Sequence, residues 1–354
     1  MTALADLITS RIAKTGPITL ADYMAECLLH PAHGYYATRD PFGTQGDFIT
    51  APEISQMFGE LLGLCLAQTW MDQGQPDRFT LAEIGPGRGT LMADLLRATK
   101  GVAGFHAAAD VHLIEASPVL RAKQAEVVPH ATWHSDISTL PDAPLYIVAN
   151  EFFDALPIRQ FTRDDGGWRE HMVGVQDGAL TLGLSAAAPI EALGHRLDDT
   201  TAGDIIELCP ALSGITAQIS QRIADHGGAA LIIDYGDWRS LGDTFQALTA
   251  HKAVDPFIAP GDADLTAHVD FEAIANAAAP AQFTRLTTQG VFLERLGITQ
   301  RAQSLAQRMS GDALEQHIAA HRRLTPPSEM GAIFKVIGLH PNGTPPPAGL
   351  THDA

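Results

Sequence analysis

Four short apolar segments, alternating with helix-like segments, limit the folds open to this chain more than any other feature. Helical segments with capping signals separate them, such as VLRAKQAE after Ser117-Pro118. The alternation predicts an α/β fold in which a mostly parallel sheet has helices on both faces. The predicted strands are FTLAEI (79–84), VHLIEA (111–116), LYIVAN (145–150) and AALIIDYG (229–236).

The remaining segments divide the chain of 354 residues into further parts. Asp-Gly-Gly and Asp-Gly between apolar runs predict antiparallel hairpins inserted into the sheet fold. The predicted parts are an N-terminal helical segment (1–75), the first part of the core (76–157), a β-hairpin insertion on the substrate side (158–205), the rest of the core (206–339) and a disordered Pro-rich tail (340–354).

Two local patterns give finer expectations. Thr50 and Glu53 have the spacing of a capping box, which predicts that one helix begins at Thr50 and runs to Trp70. Near the end of the core, FTRLTTQG (283–290) and GAIFKVIGL (331–339) are predicted to form a strand pair, with amphipathic helix between them.

The first predicted strand runs into a glycine-rich turn, LAEIGPGRGTL, that suits a ligand close to the backbone. The turn contains Gly85, Gly87 and Gly89, but Thr90 stands where a dinucleotide fingerprint requires glycine. Glu83 beside the turn would repel a pyrophosphate and attract an ammonium group. S-adenosylmethionine carries an ammonium group, so it fits this turn better than NAD does. A plain strand-to-helix turn explains the glycines as well.

Two more acidic residues follow predicted strands at the same edge of the sheet. Glu115 ends the second strand, where α/β nucleotide-binding folds place an acid on the ribose hydroxyls. Asp136, in WHSDIS, could accept a hydrogen bond from an adenine amino group. A solvated acid is the alternative for each, but the three acids together favour a nucleoside-containing cofactor.

Several stretches of the chain resemble the MidA-like family of class I methyltransferases, which includes mitochondrial arginine methyltransferases that assist complex I assembly. The resemblance covers about residues 20–339. It implies a Rossmann-like sheet of seven strands, S-adenosyl-L-methionine as the methyl donor, and dimethylation of an arginine in a complex I subunit. The stretches that carry it are HGYYATRDPFGTQGDFITAPEISQMFGELLG, EIGPGRGTL, IEASPVLR, ANEFFDALPIRQF, IIDYG, DLTAHVDF and MGAIFKV.

With that resemblance, the stretch NEFFDALP after the third strand becomes the predicted substrate clamp. Arginine is always protonated, and carboxylates match its planar fork of N–H donors. Glu151 and Asp154 are therefore predicted to hold the guanidinium, and Asn150 to offer its side-chain carbonyl to the cofactor or the substrate. The alternative is structural, with Glu151 at a helix start and Asp154 in the turn before Pro157.

Two further residues are candidates. His268 in DLTAHVDF could accept the proton released late in the reaction or line the arginine channel, although a structural histidine explains it as well. Asp47, in GDFIT, is predicted to lie in a lid over the cofactor, with simple packing of the N-terminal segment as the alternative.

Composition restricts the partners and the compartment. The net charge of −18 argues against a nucleic-acid partner, and no apolar run is long enough to span a membrane. Three widely spaced cysteines predict neither a metal site nor a disulfide framework. With no Arg-rich transit peptide visible, we expect a bacterial, cytoplasmic protein that acts on a protein client. The alternatives are a methyltransferase for small molecules and a non-catalytic assembly factor.

Overall fold

A computed structural model describes residues 2–38 and 50–352 of the chain. Its N-terminal segment is mainly helical, and Thr2, Thr19 and Ser55 cap three of its helices through their side chains. The elements are α1 (Ala3–Thr15), β1 (Ile18–Thr19), α2 (Leu20–Leu29), α3 (Tyr35–Thr38), α4 (Ala51–Ile54) and α5 (Gln56–Asp72).

The single helix predicted from Thr50 to Trp70 is wrong, because it is two helices. Ser55 is extended between them, at φ −157° and ψ 131°, and its hydroxyl accepts from the N–H of Met57. Thr50 makes no side-chain capping bond, and Glu53 instead accepts a hydrogen bond from the Thr90 hydroxyl. The capping signal of α5 is therefore Ser55, within what looked like a continuous helical pattern.

The first part of the core follows, and its elements alternate as predicted. Ser117 caps its helix through its hydroxyl, with Pro118 at the first helical position. The elements are β2 (Phe79–Ile84), α6 (Thr90–Thr99), α7 (Phe105–Ala108), β3 (Ala109–Ile114), α8 (Pro118–Val127), β4 (Thr132–His134) and β5 (Leu145–Asn150).

The hairpins predicted after this part of the core are present as antiparallel pairs. Their strands are β6 (Arg159–Asp164), β7 (Gly167–Gln176), β8 (Ala179–Leu184) and β9 (Ile205–Leu208). Asp177 and Gly178 both have positive φ, 51° and 81°, as the two-residue turn between β7 and β8 requires. Because β1 pairs with β7, and β9 with β6, the insertion forms a five-stranded sheet with the N-terminal segment.

The rest of the core returns to the main sheet. Its elements are α9 (Pro210–His226), β10 (Gly228–Asp237), β11 (Gln246–Thr249), β12 (Lys252–Val254), β13 (Asp264–Thr266), β14 (Val269–Asp270), α10 (Phe271–Asn276), β15 (Gln282–Phe283), β16 (Thr287–Thr288), α11 (Gln289–Arg295), α12 (Ile298–Ala306), α13 (Gly311–Leu324), α14 (Met330–Ile333) and β17 (Phe334–His340). Strands β11, β12 and β13 form a separate small antiparallel sheet.

The main sheet confirms the predicted architecture. Its continuous path runs β15-β17-β10-β5-β2-β3-β4, seven strands, and the short strands β14 and β16 pair beside it. The five strands from β10 to β4 are parallel, whereas β17 is antiparallel to β10. Alternate residues pack against opposite helical layers: Tyr146 and Val148 belong to the cluster with α5 and α6, and Ile147 to the cluster with α9.

Two predictions near the C-terminus are wrong. The strand predicted at 283–290 is interrupted, because Phe283 pairs with Leu339 and Thr287 with Val336, which leaves three residues opposite two and produces a bulge. The tail predicted to be disordered is packed through residue 352. Leu350 is buried in the core, and the N–H of Arg285 donates to the carbonyl of Thr351.

Candidate active site

A cavity of about 870 Å³ lies at the carboxyl ends of the parallel strands β2, β3, β5 and β10, where open α/β sheets bind their ligands. Its volume is within the range of cofactor and ligand sites. Residues from α2, α3 and the small sheet close its other side. The structure brings together in its wall seven of the predicted site residues: Gly85, Gly87, Glu115, Asp136, Glu151, Asp154 and His268.

The glycine-rich turn after β2 forms one wall, and its conformation requires glycine. Gly85 has φ +64° and Gly87 has φ +53°, in the left-handed region that other residues rarely adopt. A Cβ atom on Gly85 would lie 3.0 Å from Cδ2 of Phe152, on the neighbouring loop. Gly89, at φ +83°, precedes α6 and packs toward Val127 and Gln124, so it shapes the turn without lining the cavity.

Glu115 lies beyond the end of β3 and is held by two hydrogen bonds. Its Oε1 accepts from the N–H of Ser117 at 2.7 Å, and its Oε2 accepts from Nε2 of Gln124 at 3.1 Å. Each carboxylate oxygen can accept a further bond, so Glu115 can receive two hydroxyls from the cavity. The pKa of Glu115 is raised by burial, and these donors oppose that effect.

Gln124 is a site residue that sequence reasoning missed. It is fully buried on α8, and its Nε2 donates both to Glu115 and to the carbonyl of Gly87, at 2.8 Å. Its Oε1 accepts from Nε1 of Trp133 at 2.9 Å. One amide therefore joins the glycine turn to the acid of the second strand. Its position in VLRAKQAE, a polar residue on a helix, gave no signal of this role.

Glu83 does not line the cavity, which corrects its predicted direct contact with an ammonium group. Its side chain is buried on the α6 side of the sheet, where it accepts a hydrogen bond from the N–H of Met92. Burial raises the pKa of Glu83 to about 8, and the nearby charge of Glu115 adds to this. Since side chains alternate along a strand, Glu83, one residue before the end of β2, faces α6 and supports the turn from behind.

The loop after β5 presents the two predicted clamp carboxylates. Glu151 has φ +51°, a strained conformation of the kind that clusters at functional sites. Its Oε1 accepts from the N–H of Ala51 and from Nδ2 of Asn150, both at 3.1 Å. Burial, with the charge of Asp154, raises the pKa of Glu151 to about 7. Asn150 thus orients Glu151 and is itself absent from the cavity wall.

Asp154 is buried, with 6% of its surface exposed, yet its Oδ1 has no hydrogen-bond partner among the described residues. Burial raises the pKa of its carboxyl to about 6, and the hydroxyl of Tyr235 opposes this shift. A buried carboxylate oxygen without a donor is costly unless a ligand supplies one. Because Asp154 faces the cavity, a cationic ligand with N–H groups would satisfy it.

Asp234 was also missed, although IIDYG places it near the end of a strand. It is fully buried on β10, and its Oδ2 accepts from the N–H groups of Phe152, Phe153 and Asp154 at 3.0–3.3 Å. Burial and the charges of Asp154 and Glu151 raise its pKa well above the usual range of a carboxyl. Asp234 thus fixes the loop that carries both clamp residues. The sequence signal that could have indicated this role is an acidic residue within an otherwise apolar strand.

His268 lies between β13 and β14 and lines the same cavity. Its ring contacts the ring of Tyr235 edge-on, with centroids 5.4 Å apart, and the backbone N–H of His268 donates to the hydroxyl of Thr244 at 2.8 Å. Burial, with the nearby charge of Lys335, lowers the pKa of His268, so the imidazole is neutral at pH 7. A neutral ring can accept a proton; both predicted roles stay predictions.

Asp136 and Asp47 complete the predicted set. Asp136 is exposed at the edge of the cavity, where its Oδ1 accepts from the N–H of Ser138 at 2.7 Å and thereby starts a short 3-10 turn. These bonds from Ser138 lower the pKa of Asp136. Its predicted contact with adenine stays a prediction. Asp47 lies outside the described residues.

The cavity adjoins no cluster of metal ligands: the parts of the chain that the structure describes hold no group of three or more His, Cys, Asp or Glu side chains able to bind a metal ion. Within the same ranges, 2–38 and 50–352, no helix is long and apolar enough to cross a membrane.

With this geometry in view, comparison with known proteins decides the family. The family model for S-adenosyl-L-methionine-dependent methyltransferases (Methyltransf_28) matches residues 61–289. The chain belongs to this family. It is 38% identical to human protein arginine methyltransferase NDUFAF7, over 94% of this chain and 82% of that protein, and 36% identical to the Drosophila melanogaster homologue, over 96% and 85%.

A solved structure agrees with this membership. A COG1565 superfamily member from Burkholderia thailandensis was solved with S-adenosyl-homocysteine bound. It superposes on this chain with a TM-score of 0.81 and 31% sequence identity, over 96% of this chain and 92% of the Burkholderia chain. The chain is thus a MidA-like S-adenosyl-L-methionine-dependent methyltransferase with a Rossmann-like fold, as the sequence resemblance implied.

The cavity residues fit this cofactor. Gly85 and Gly87 leave backbone exposed toward the cavity, and Glu115 presents two acceptor oxygens. No lysine or arginine is found in the described part of the cavity wall to repel a sulfonium. When bound, S-adenosyl-L-methionine supplies an electrophilic methyl group on a positively charged sulfur.

Proposed function

We propose that this methyltransferase is a protein arginine N-methyltransferase, and that its client is a subunit of respiratory complex I. The unpartnered carboxylate oxygen of buried Asp154, in the cavity wall near Glu151, carries the proposal. The names of the human and Drosophila relatives, protein arginine methyltransferase NDUFAF7, support the substrate class. The client and a role in complex I assembly rest on the resemblance to the MidA-like family.

The chemistry of the loop suits a guanidinium. Glu151 and Asp154 together can accept several of the five N–H bonds of an arginine fork, and a planar fork needs acceptors at more than one place. Asn150 donates to the carboxylate of Glu151, and Asp234 accepts from the backbone N–H groups of Phe153 and Asp154. A target nitrogen that is fixed in this way faces the methyl donor in one orientation, which supplies much of the rate advantage of a bimolecular displacement.

Charge and proton transfer follow from the same groups. A guanidinium neutralises the two carboxylates, so their raised pKa values fall when the substrate binds. The target nitrogen gains a methyl group and loses one proton, and this loss can follow the displacement. His268 is neutral and lines the cavity, which makes it a candidate acceptor for that proton. A strong general base is unnecessary when the fork is held.

The test is Glu151→Gln, which keeps the side-chain size and removes the charge. We expect a folded protein that binds S-adenosyl-L-methionine normally and methylates an arginine-containing complex I subunit at least about 100-fold more slowly, because a misaligned nucleophile loses its orientation. Asp154→Asn is expected to act in the same direction. Glu126→Gln, the same change at an exposed position on α8, is the matched control.

Mass spectrometry of the client gives the rates, and calorimetry gives cofactor affinity. Full dimethylation by Glu151→Gln would exclude Glu151 as a clamp residue. Cofactor binding by the wild type with no methylation of any arginine would favour a non-catalytic assembly factor. Methylation of small molecules alone would favour a small-molecule methyltransferase.

A further inference from the structure

The segment from Arg295 to Arg323, which includes helices α12 and α13, has a net positive charge, whereas the rest of the chain is acidic. Residues 295–323 contain five arginines and two acidic residues, whereas the other 325 residues contain 18 basic and 39 acidic ones. This segment is therefore a basic region on a protein whose net charge is −18. Its field would attract an acidic group that the remaining surface repels.

The arginines of this region differ in what they contact. Arg301 is bound to Glu60, with Nε–Oε2 at 2.7 Å, and Arg295 donates to the carbonyl of Gly349. Arg308, Arg322 and Arg323 are exposed, and the described residues provide their side chains with no hydrogen bond or ion pair. In a chain with 41 acidic residues, three exposed arginines that have no bonded partner among residues 2–38 and 50–352 are available to a client protein.

One of these three arginines, Arg323, is close enough to the acidic loop of the cavity to act on it, and Arg322 is its neighbour on α13. Helix α13 packs against α4, whose first residue, Ala51, donates its N–H to Glu151. The charge of Arg323 lowers the pKa of Glu151, which places the guanidinium within electrostatic reach of the predicted clamp. Arg322 and Arg323 lie in the last turn of α13, whereas Arg308 follows α12.

A structural role alone explains less. Arginines in the last turn of a helix interact favourably with its dipole, and both residues are in the last turn of α13. A single arginine in that turn is sufficient for this effect. The dipole accounts for basic residues at this end, but it does not account for an exposed pair of arginines of which one acts on the acidic loop.

We propose that Arg322 and Arg323 form a docking surface for an acidic residue of the client, near the target arginine in its sequence. The proposal rests on the proposed function, since it assigns the client a cationic target and an acidic neighbour. Glu151 and Asp154 would hold the target arginine of the client, and Arg322 and Arg323 would hold its acidic neighbour. Such a dipolar arrangement fixes the direction in which the client chain crosses the catalytic region.

The test uses fluorescein-labelled peptides that each contain one arginine and a pair of glutamates. The distance between the arginine and the glutamates increases along the series, and each peptide has a control in which glutamines replace the glutamates. Binding is measured by anisotropy at low salt with S-adenosyl-homocysteine present, and methylation by mass spectrometry. We expect the wild type to bind the best glutamate peptide about tenfold more tightly than its glutamine match, as two exposed charge contacts allow.

Two variants and one control localise the effect. R322A/R323A is expected to lose the preference, R322K/R323K to keep most of it because the charge remains, and R308A to keep all of it. Thermal unfolding of each variant shows whether the fold is intact. If R322A/R323A does not fold, the single variants R322A and R323A are measured instead, and each is expected to lose part of the preference; a full preference in both folded single variants would overturn the docking surface.

The outcomes separate the two proposals. Equal binding of glutamate and glutamine peptides by the wild type, or a preference retained in folded R322A/R323A, would overturn the docking surface. A glutamate preference that depends on Arg322 and Arg323, with no arginine methylation of any peptide, would support the surface and contradict the arginine chemistry.

Discussion

The carboxylate of Asp234 accepts a hydrogen bond from the backbone N–H of Phe153 at 3.0 Å, and this bond joins β10 to the loop after β5. The same oxygen receives the N–H groups of Phe152 and Asp154, and the other oxygen receives that of Tyr235. Four backbone donors on one buried carboxylate fix the conformation of the loop. The position of Asp154 in the cavity wall therefore depends on a residue that does not line it.

Asp234→Asn is expected to disturb this loop, because the amide brings a donor where backbone donors already point. We expect the free energy of unfolding to fall by about 1–3 kcal/mol, the usual cost of a buried polar mismatch. Methyl transfer should fall further than cofactor affinity does, since the clamp loop moves while the glycine turn stays. Chemical denaturation, calorimetry and rate measurements test this. Equal losses of affinity and rate would contradict a positioning role.

Glu115→Ala is expected to weaken binding of S-adenosyl-L-methionine by about 1–3 kcal/mol, the range for a lost hydrogen-bond partner. The rate at saturating cofactor should change much less, because the predicted role of Glu115 is to bind the ribose and not to hold the target arginine. Isothermal titration calorimetry measures the affinity. An unchanged affinity would return Glu115 to the role of a solvated acid at a strand end.

Gln124→Met is expected to weaken cofactor binding, because Gln124 holds Glu115 and the backbone of Gly87 in place. The thioether keeps the length of the side chain but removes the bonds to Glu115 and to the carbonyl of Gly87. Nε1 of Trp133 also loses its acceptor, so we expect a loss of stability of about 1–3 kcal/mol. Gln221→Met, on the exposed face of α9, is the matched control. Unchanged affinity in Gln124→Met would show that Glu115 needs no support.

The sequence predicted those parts of the fold and site that depend on local patterns. Strands β2, Phe79–Ile84, and β5, Leu145–Asn150, have the predicted bounds, because short apolar runs determine them. The carboxyl ends of parallel strands meet at one edge, so Glu115 and Glu151 were expected in one site. Their common cavity agrees with that expectation.

What could not be predicted depends on contacts between distant residues. Gln124 receives its role from Trp133, Gly87 and Glu115, and a polar residue on a helix does not reveal such partners. The packed tail depends on the pocket that receives Leu350, which its Pro-rich composition does not encode. For Glu83, the position near a strand end was predictable from the sequence. Its contacts were not, because they depend on which face of the sheet its side chain occupies.

Gly85→Val is expected to abolish cofactor binding. The substitution forces a β-branched residue to φ +64° and places its Cβ about 3.0 Å from Phe152. Relief of this contact would move the loop into the cavity, so both the turn and the clamp are affected. Gly101→Val is the control, since a Cβ atom there would meet no neighbouring side chain or strand within 4 Å and its φ is ordinary. Normal affinity in Gly85→Val would remove the turn from the cofactor site.

The raised pKa of Glu151 predicts opposite pH trends for activity and stability. The clamp needs carboxylates, so methylation of arginine should rise with pH through about 6 to 7, where Asp154 and Glu151 ionise. A carboxyl whose pKa is raised by folding stabilises the protein fully below its unfolded value of 4.5, and this contribution is lost as pH rises through about 7. Burial of Glu151 is the main cause, since it disfavours the charged form.

Glu151→Gln tests the stability trend, because glutamine does not titrate. Without cofactor, the free energy of unfolding of the wild type should fall relative to that of the variant between pH 4.5 and pH 8, by up to about 3 kcal/mol for a pKa shift of this size. Urea denaturation at several pH values gives the difference. Glu126→Gln, at an exposed site, should show no such trend. A constant difference between Glu151→Gln and the wild type would mean that Glu151 is already ionised at acidic pH, and then the activity trend could not be assigned to this carboxylate.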